Sequence, residues 1–397
     1  MTFRLPTTDR GVRTAEAILD HAAAEFARRG YHATSVAGIC RRGGLANASF
    51  YQYFEDKRQI HGALVERARA ALDSTLARAV DLESLCAEVF DFIEEHGRVL
   101  QVSREAEFLD LGAASGGREF YQPVATRIQA LLGVAEATAW AVVGAQFFVA
   151  LRFGTWAGKP IPAPVRKTFL DLASGGIAAG STDRWTDLGL PGGFSLASAA
   201  GATPSAGSTR AALVAAARDL FGSQGYAATK ITDITARVEV AQGTFYAHFP
   251  GKRAVLARVV DDIRLDLMGR TAEAGRSASD RMERERRNLL IFLEWLRGNR
   301  DAYRIVREAE FVEPAIGRGY YEAIAEAYTG GLRAALARGE LRLPGPADVA
   351  LEAIPWALMG ISHFAGLRWV LWEPPGPAPA SAIASTLRFL MKGLAAS

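Results

Sequence analysis

GYHATSVAGICRRGGLANASFYQYFEDKR, residues 30–58, and GYAATKITDITARVEVAQGTFYAHFPGKR, residues 225–253, are two versions of one segment. They align without a gap at an offset of 195, and residues 17–69 against 212–264 share 17 identities in 53 positions. The shared set includes Phe26/Phe221, Thr34/Thr229, Phe50/Phe245, Tyr51/Tyr246, Phe54/Phe249 and Lys57/Lys252. Chance does not pair so many aromatics, and a repeat of this length means duplication of a whole fold. REAEF recurs at 104–108 and 307–311, paired aromatics follow at 120–121 and 320–321, and ALRFGTW from Ala150 matches GLRWVLW from Gly366.

Apolar residues step by four along Ile18, Ala22, Phe26 and along Leu213, Ala217, Phe221, which predicts one buried face on a first helix in each copy. Gly30 and Gly225 stand where that helix ends, and Thr34 and Thr229 where the next is capped. A short apolar stripe at Val36 and Ile39, a turn at 42–45 and a second short helix follow. This is helix-turn-helix spacing, in which the second helix enters the major groove. Its start is small and polar in both copies, with Ala46, Asn47, Ala48 and Ser49 in one and Ala241, Gln242, Gly243 and Thr244 in the other. Asn and Gln suit adenine bidentately, while hydroxyls reach bases or phosphates. Gln52, Tyr51, Tyr53, Tyr246 and His248 are candidate contacts beside them, as are Thr34 and Thr229. Lys57 and Lys252, at a helix start, are read as phosphate ligands, and Arg42 and Arg237 likewise.

From the first helix through FYQYFEDKRQI and FYAHFPGKRAV, the chain resembles the TetR family of bacterial transcriptional regulators, and it does so twice. The resemblance implies three DNA-binding helices, then a longer helical domain that holds a small effector and dimerises through a helical bundle. Ala46 and Ala241 depart from the Ser or Thr frequent there in the family. The expected fold is all-α, two tandem units, each a helix-turn-helix head and a helical body. The expected boundaries are 11–71 for the first head, 72–180 for its body, 181–208 for a Gly/Ser/Ala-rich linker, 209–266 for the second head and 267–397 for its body.

The remaining composition narrows function further. A net charge of +3 on 397 residues is too small for a non-specific architectural DNA protein, the main alternative reading. Two cysteines build neither a disulfide framework nor a zinc site, which fits a reducing cytoplasm. The first residues lack the apolar core of a signal peptide, and no uncharged apolar stretch reaches the ~18 residues that span a bilayer. A helical enzyme is the weaker alternative, because the chain has no phosphate loop, HExxH or serine elbow and its six histidines are scattered. No cofactor is expected.

The apolar segments ending in ALRFGTW and GLRWVLW are expected to pack as bundle helices, with Gly144 and Gly360 allowing close approach. Candidate effector contacts are Arg104, Phe108, Trp140 and Phe147 in the first copy and Arg307, Phe311, Trp356 and His363 in the second. His363 facing Phe147 in the repeat means that the two pockets differ. The expected partners are operator DNA and a hydrophobic or amphipathic small molecule. The two halves are expected to pair within one chain, a further homodimer being the other arrangement.

Overall fold

Each first helix opens on a hydroxyl cap. Thr8 accepts the Gly11 N–H at 3.2 Å to start α1 (Asp9–Ala33), and Ser208 accepts the Ala211 N–H at 3.2 Å to start α9 (Thr209–Gln224). Such caps satisfy amides that no helical carbonyl can reach. The structure is a computed structural model that describes residues 8–106, 118–177, 208–374 and 376–393. Apart from Ser208, the linker expected at 181–208 lies outside the described residues, as does Phe108.

The fold is all-α. In the first copy, α1 is followed by α2 (Val36–Arg42), α3 (Asn47–Tyr51), α4 (Lys57–Arg78), α5 (Leu82–Ala106), α6 (Arg118–Leu132), α7 (Glu136–Ala150) and α8 (Ala163–Gly175). In the second, α9 is followed by α10 (Ile231–Arg237), α11 (Gln242–His248), α12 (Lys252–Gly275), α13 (Arg281–Gly298), α14 (Arg300–Val312), α15 (Pro314–Ala337), α16 (Ala347–Gly366) and α17 (Ala380–Lys392). Where the first copy has α5 in one piece, the second breaks between Gly298 and Arg300. Both apolar helices, α7 and α16, run into one π-helical turn, at Leu151–Thr155 and Leu367–Leu371. There the Trp156 N–H reaches Leu151 O at 2.8 Å, and the Trp372 N–H reaches Leu367 O at 2.9 Å.

The chain divides into two compact units, Met1–Gly133 with Val149–Arg166, and Val134–Phe148 with Lys167–Ser397. The division does not follow the repeat: α7 up to Phe148, and nearly all of α8, belong with the second copy. Inside that second unit α7 crosses α16 at two glycines. A Cβ on Gly144 would strike the Gly360 carbonyl and come within 2.9 Å of Phe364 Cβ; one on Gly360 would strike the Gly144 carbonyl and come within 2.9 Å of Phe148 Cβ. Each residue meets its own counterpart at an offset of 216, the reciprocity of a two-fold interface. Trp140 and Phe364 stack across it at 6.3 Å, and Arg368 pairs with Glu136 at 2.8 Å.

Glu136–Thr155 and Ala347–Leu371 are each long and apolar enough to span a bilayer, but 89% and 78% of those windows are buried in the protein. Core burial accounts for their composition.

Candidate nucleic-acid interface and effector cavity

The first head closes on Ile18, Phe26, Ile39, Phe50, Phe54 and Ile60, all at most 1% exposed. The second closes on Leu213, Phe221, Ile234, Phe245 and Val255. With Phe50 and Phe245 turned inward, the residues beside them are forced out: Tyr51 is 59% exposed and Tyr246 53%. Asn47 and Gln52 on one head, and Gln242 and His248 on the other, are also exposed, while Ser49 and Thr244 are half-buried. Each reading helix opens at an alanine, Ala46 or Ala241, with no side-chain cap. The turn before it is pinned by Leu45 N–H to Cys40 O at 2.9 Å in one head and Val240 N–H to Thr235 O at 3.1 Å in the other. Gly44 takes φ 62° in that turn, and at the matching position Glu239 takes φ 57°. Arg42 and Arg237 are exposed beside the turn, Arg42 reaching Glu25 at 3.8 Å and Arg237 reaching Asp219 at 3.3 Å.

Five of the DNA-contact candidates stand elsewhere than on an outward reading face. Thr34 and Thr229 are buried, and their hydroxyls donate to the Gly30 and Gly225 carbonyls at 2.7 Å. They finish the first helix instead of capping the second; Ser35 caps α2 through Gly38 N–H at 3.1 Å, and Asp233 takes the Lys230 N–H at 2.8 Å. Lys57 and Lys252 begin their helices but fold inward, donating to the Tyr31 carbonyl at 2.8 Å and the Tyr226 carbonyl at 2.7 Å, each 4.3 Å above that tyrosine's ring. Burial pulls both ammonium groups below the ordinary lysine range, against Glu105 and Glu308, which hold them up. Tyr53 is half-buried against the head's core. Among the effector candidates, Arg104 is buried in α5.

The first glutamate of each REAEF, Glu105 and Glu308, completes this turn. Glu105 accepts the Tyr31 N–H at 2.7 Å, and Glu308 accepts the Tyr226 N–H at 2.9 and 3.0 Å. Gly30 and Gly225, at φ 77° and 87°, leave room for them: an added Cβ would lie 3.1 Å from Glu105 Oε1 and 3.3 Å from Glu308 Oε1. Each body thus holds its head through a carboxylate on a backbone amide, a charge-assisted bond. The recurrence of REAEF at 104–108 and 307–311 is the sequence signal that marks these glutamates. The Tyr226 phenol, half-buried and facing Glu313, is pushed up to about 12.

In the second unit a cavity of about 410 Å³ opens among α12, α13, α15 and α16, within the ~300–1,000 Å³ of small-molecule sites. Among the effector candidates His363 lines it, together with Tyr303, Tyr321 and Phe148. Behind His363, Arg307 donates to Nε2 at 2.8 Å and faces Glu310 at 3.4 Å, and Tyr321 donates to Glu310 at 2.6 Å. The Arg307 bond makes Nε2 the acceptor, so Nδ1 carries the proton toward Tyr303. Trp140, Phe147 and Trp356 are buried outside the cavity wall, and Phe311 is half-buried outside it. Trp140 sits at 5.4 Å from Trp372, and Phe147 at 5.6 Å from Phe364, in the α7–α16 packing.

The family model of bacterial regulatory proteins, tetR family, matches residues 18–64 and again 213–259, the two heads. The HTH-type transcriptional activator FasR of Mycolicibacterium smegmatis is 28% identical over 195 residues, 47% of this chain and 82% of that protein. The uncharacterised HTH-type regulator YdgC of Bacillus subtilis is 35% identical over 71 residues, 17% of this chain and 36% of its own length. A solved Thermus thermophilus FadR, described as a TetR-family repressor in complex with lauroyl-CoA, is 26% identical, with 46% of this chain and 94% of that one covered at a TM-score of 0.34.

Proposed function

We propose, on the premise that this chain belongs to the tetR family and is a DNA-binding transcriptional regulator carrying the family's head twice, that it is a one-chain repressor released by a small-molecule effector. Its two halves act as the two subunits of a dimer, each presenting its reading helix to one half-site. The observation that carries this is the reciprocal meeting of Gly144 with Gly360, one copy's bundle helix seated on the other's. A tether of 28 residues, 181–208, has a root-mean-square reach of roughly 30 Å and holds the halves at about millimolar effective concentration.

Asn47 and Ser49 stand in the first head where Gln242 and Thr244 stand in the second, so the half-sites differ in sequence. The chemistry of the heads is recognition, with Tyr51 and Tyr246 on the phosphate backbone. An effector that binds the second body's cavity better in one arrangement of the heads draws the protein off its operator. The working compartment is the cytoplasm, where the DNA is, and no catalytic step is assigned.

Selection of bound duplexes from a random pool tests the reading. The expected product is one operator with two unequal half-sites centred about one helical turn, ~34–36 Å, apart, bound by one chain in sedimentation. A single short footprint, or a two-chain complex at nanomolar protein, would falsify the one-chain arrangement. Transcription in the operator's presence fixes the sign: loss of the regulator raises expression if it represses, and lowers it if it works as FasR's name says that relative does.

A further inference from the structure

The residues lining the cavity in the second unit run along α13 and α15, and the two ends of that lining differ in chemistry. Arg281, Arg284, Asn288 and Phe292 line it from one face of α13, and the eight residues from Arg284 to Phe292 span ~12 Å of helix. At the far end the Phe292 ring meets Tyr303 at 5.8 Å, Tyr303 bonds His363, and Phe148 of the first copy stands 4.9 Å from His363 and 5.5 Å from Tyr321. At the near end the Arg281 guanidinium lies 5.6 Å from the Tyr328 ring and packs on Gly331, where a side chain would collide with it. Tyr321 to Gly331 is ten residues of α15, ~15 Å, a comparable span along a second helix.

The near end is positive. Arg281 has a side chain only 4% exposed, and its Nε has no hydrogen-bond partner among the described residues. Its Nη2 pairs with Glu285, so that charge is balanced. Arg284 is exposed and has no carboxylate within ion-pair distance among the described residues, and Glu283 is taken up by Arg286 and Arg287. No carboxylate lines the cavity among the described residues. The first amides of α13 are already met by carboxylates, Glu340 on the Arg281 N–H at 2.8 Å and Asp280 on the Glu283 N–H at 3.1 Å, so the charge left at this end is that of Arg284.

Resting on the effector reading above, we infer that the cavity takes an elongated amphipathic carboxylate, its head against Arg281 and Arg284 and the end of its tail against Phe148 of the first copy. Phe148 also packs at the Gly144–Gly360 crossing, so the ligand's length is read where the two copies meet.

Titration of the intact chain with decanoate, 1-decanol and decylamine at neutral pH, followed by calorimetry with operator binding measured in the same samples, tests this. Decanoate is expected to bind at least about tenfold more tightly than decanol, the size of one charge-assisted bond, with decylamine weakest. Arg284→Gln, an exposed substitution that spares the core, erases decanoate's advantage and leaves decanol unchanged; Phe148→Leu shifts preference toward tetradecanoate. Equal binding of decanol and decanoate, tighter binding of decylamine, or no binding of any probe overturns the assignment. If decanol and decanoate bind alike and both release the operator, the effector reading stands and the anionic head falls. If decanoate binds with the expected preference while the operator complex is unmoved, the site stands and the effector reading falls.

Discussion

The turn after the first helix and the helix that faces outward have fared differently in the two copies. Gly30-Tyr31 and Gly225-Tyr226 are held alike: a left-handed glycine, a threonine hydroxyl on its carbonyl, a body glutamate on the tyrosine N–H and a lysine on the tyrosine carbonyl. The exposed faces of the reading helices share Tyr51/Tyr246 but differ around it, with Asn47, Ser49 and Gln52 against Gln242, Thr244 and Ala247. A joint whose groups all bond one another has few substitutes, because losing one partner leaves a buried donor or acceptor unmet. An exposed side chain whose partner is a separate molecule has no such constraint inside the protein. Attachment of head to body is thus common to both copies, and the side chains each reading helix exposes around its tyrosine are its own.

The largest test of this comparison sits at the crossing. Gly144→Leu or Gly360→Leu puts a side chain into a backbone carbonyl and is expected to cost about 3 kcal/mol, read as a lowered thermal midpoint. Gly243→Ala, on the reading helix with nothing within 4 Å of an added Cβ, is expected to leave that midpoint in place. Equal tolerance at both positions would remove the close crossing.

Next come the clamps. Glu308→Ala and Glu105→Ala each strand a tyrosine amide and are expected to cost ~1–3 kcal/mol locally. Hydrogen exchange at the Tyr226 or Tyr31 amide reads this head by head, and unchanged protection would show that the glutamates do not hold the joint.

A smaller difference lies in the helix-turn-helix turns, where Gly44 and Glu239 share a left-handed backbone. Glu239→Gly is expected to stabilise the second head by up to about 1 kcal/mol, and Gly44→Ala to destabilise the first by a similar amount, by denaturant titration of the intact chain. Opposite signs would mean that the turn is relieved in some other way.

The smallest effect is acid-dependent and confined to the first head. Glu25 is held below the ordinary glutamate range by its hydrogen bond to Arg28 and the charges of Arg28, Arg29 and Arg42, in spite of burial. A carboxyl depressed in the folded state contributes stability above its unfolded pKa, ~4.3, and loses it as pH falls through the folded value. Leu220 occupies the matching place in the second head. Exchange followed down the acid range is expected to show an added loss in the first head, which Glu25→Gln removes; the same loss in both heads would assign it to another group.

Much of this protein is legible in its letters. The four-residue apolar steps, the glycines at helix ends and the doubled segment define helices, heads and duplication, because helical periodicity and turn geometry act over a few residues. The outward face of each reading helix follows from the same rule: once Phe50 and Phe245 are core, Tyr51 and Tyr246 must face solvent. Sequence spacing could not say that Lys57 and Lys252 fold inward, since a lysine at a helix start is equally placed for phosphate or for a carbonyl 26 residues away. Nor could it show that REAEF sends its first glutamate to a distant backbone amide, that Phe148 of one copy walls the cavity of the other, or that Trp140 and Phe147 serve the crossing. Local chemistry settled which elements form and which side each turns to the core; long-range packing alone decided what each buried charge and ring would touch, because those partners lie tens to hundreds of residues apart and only the folded chain brings them together.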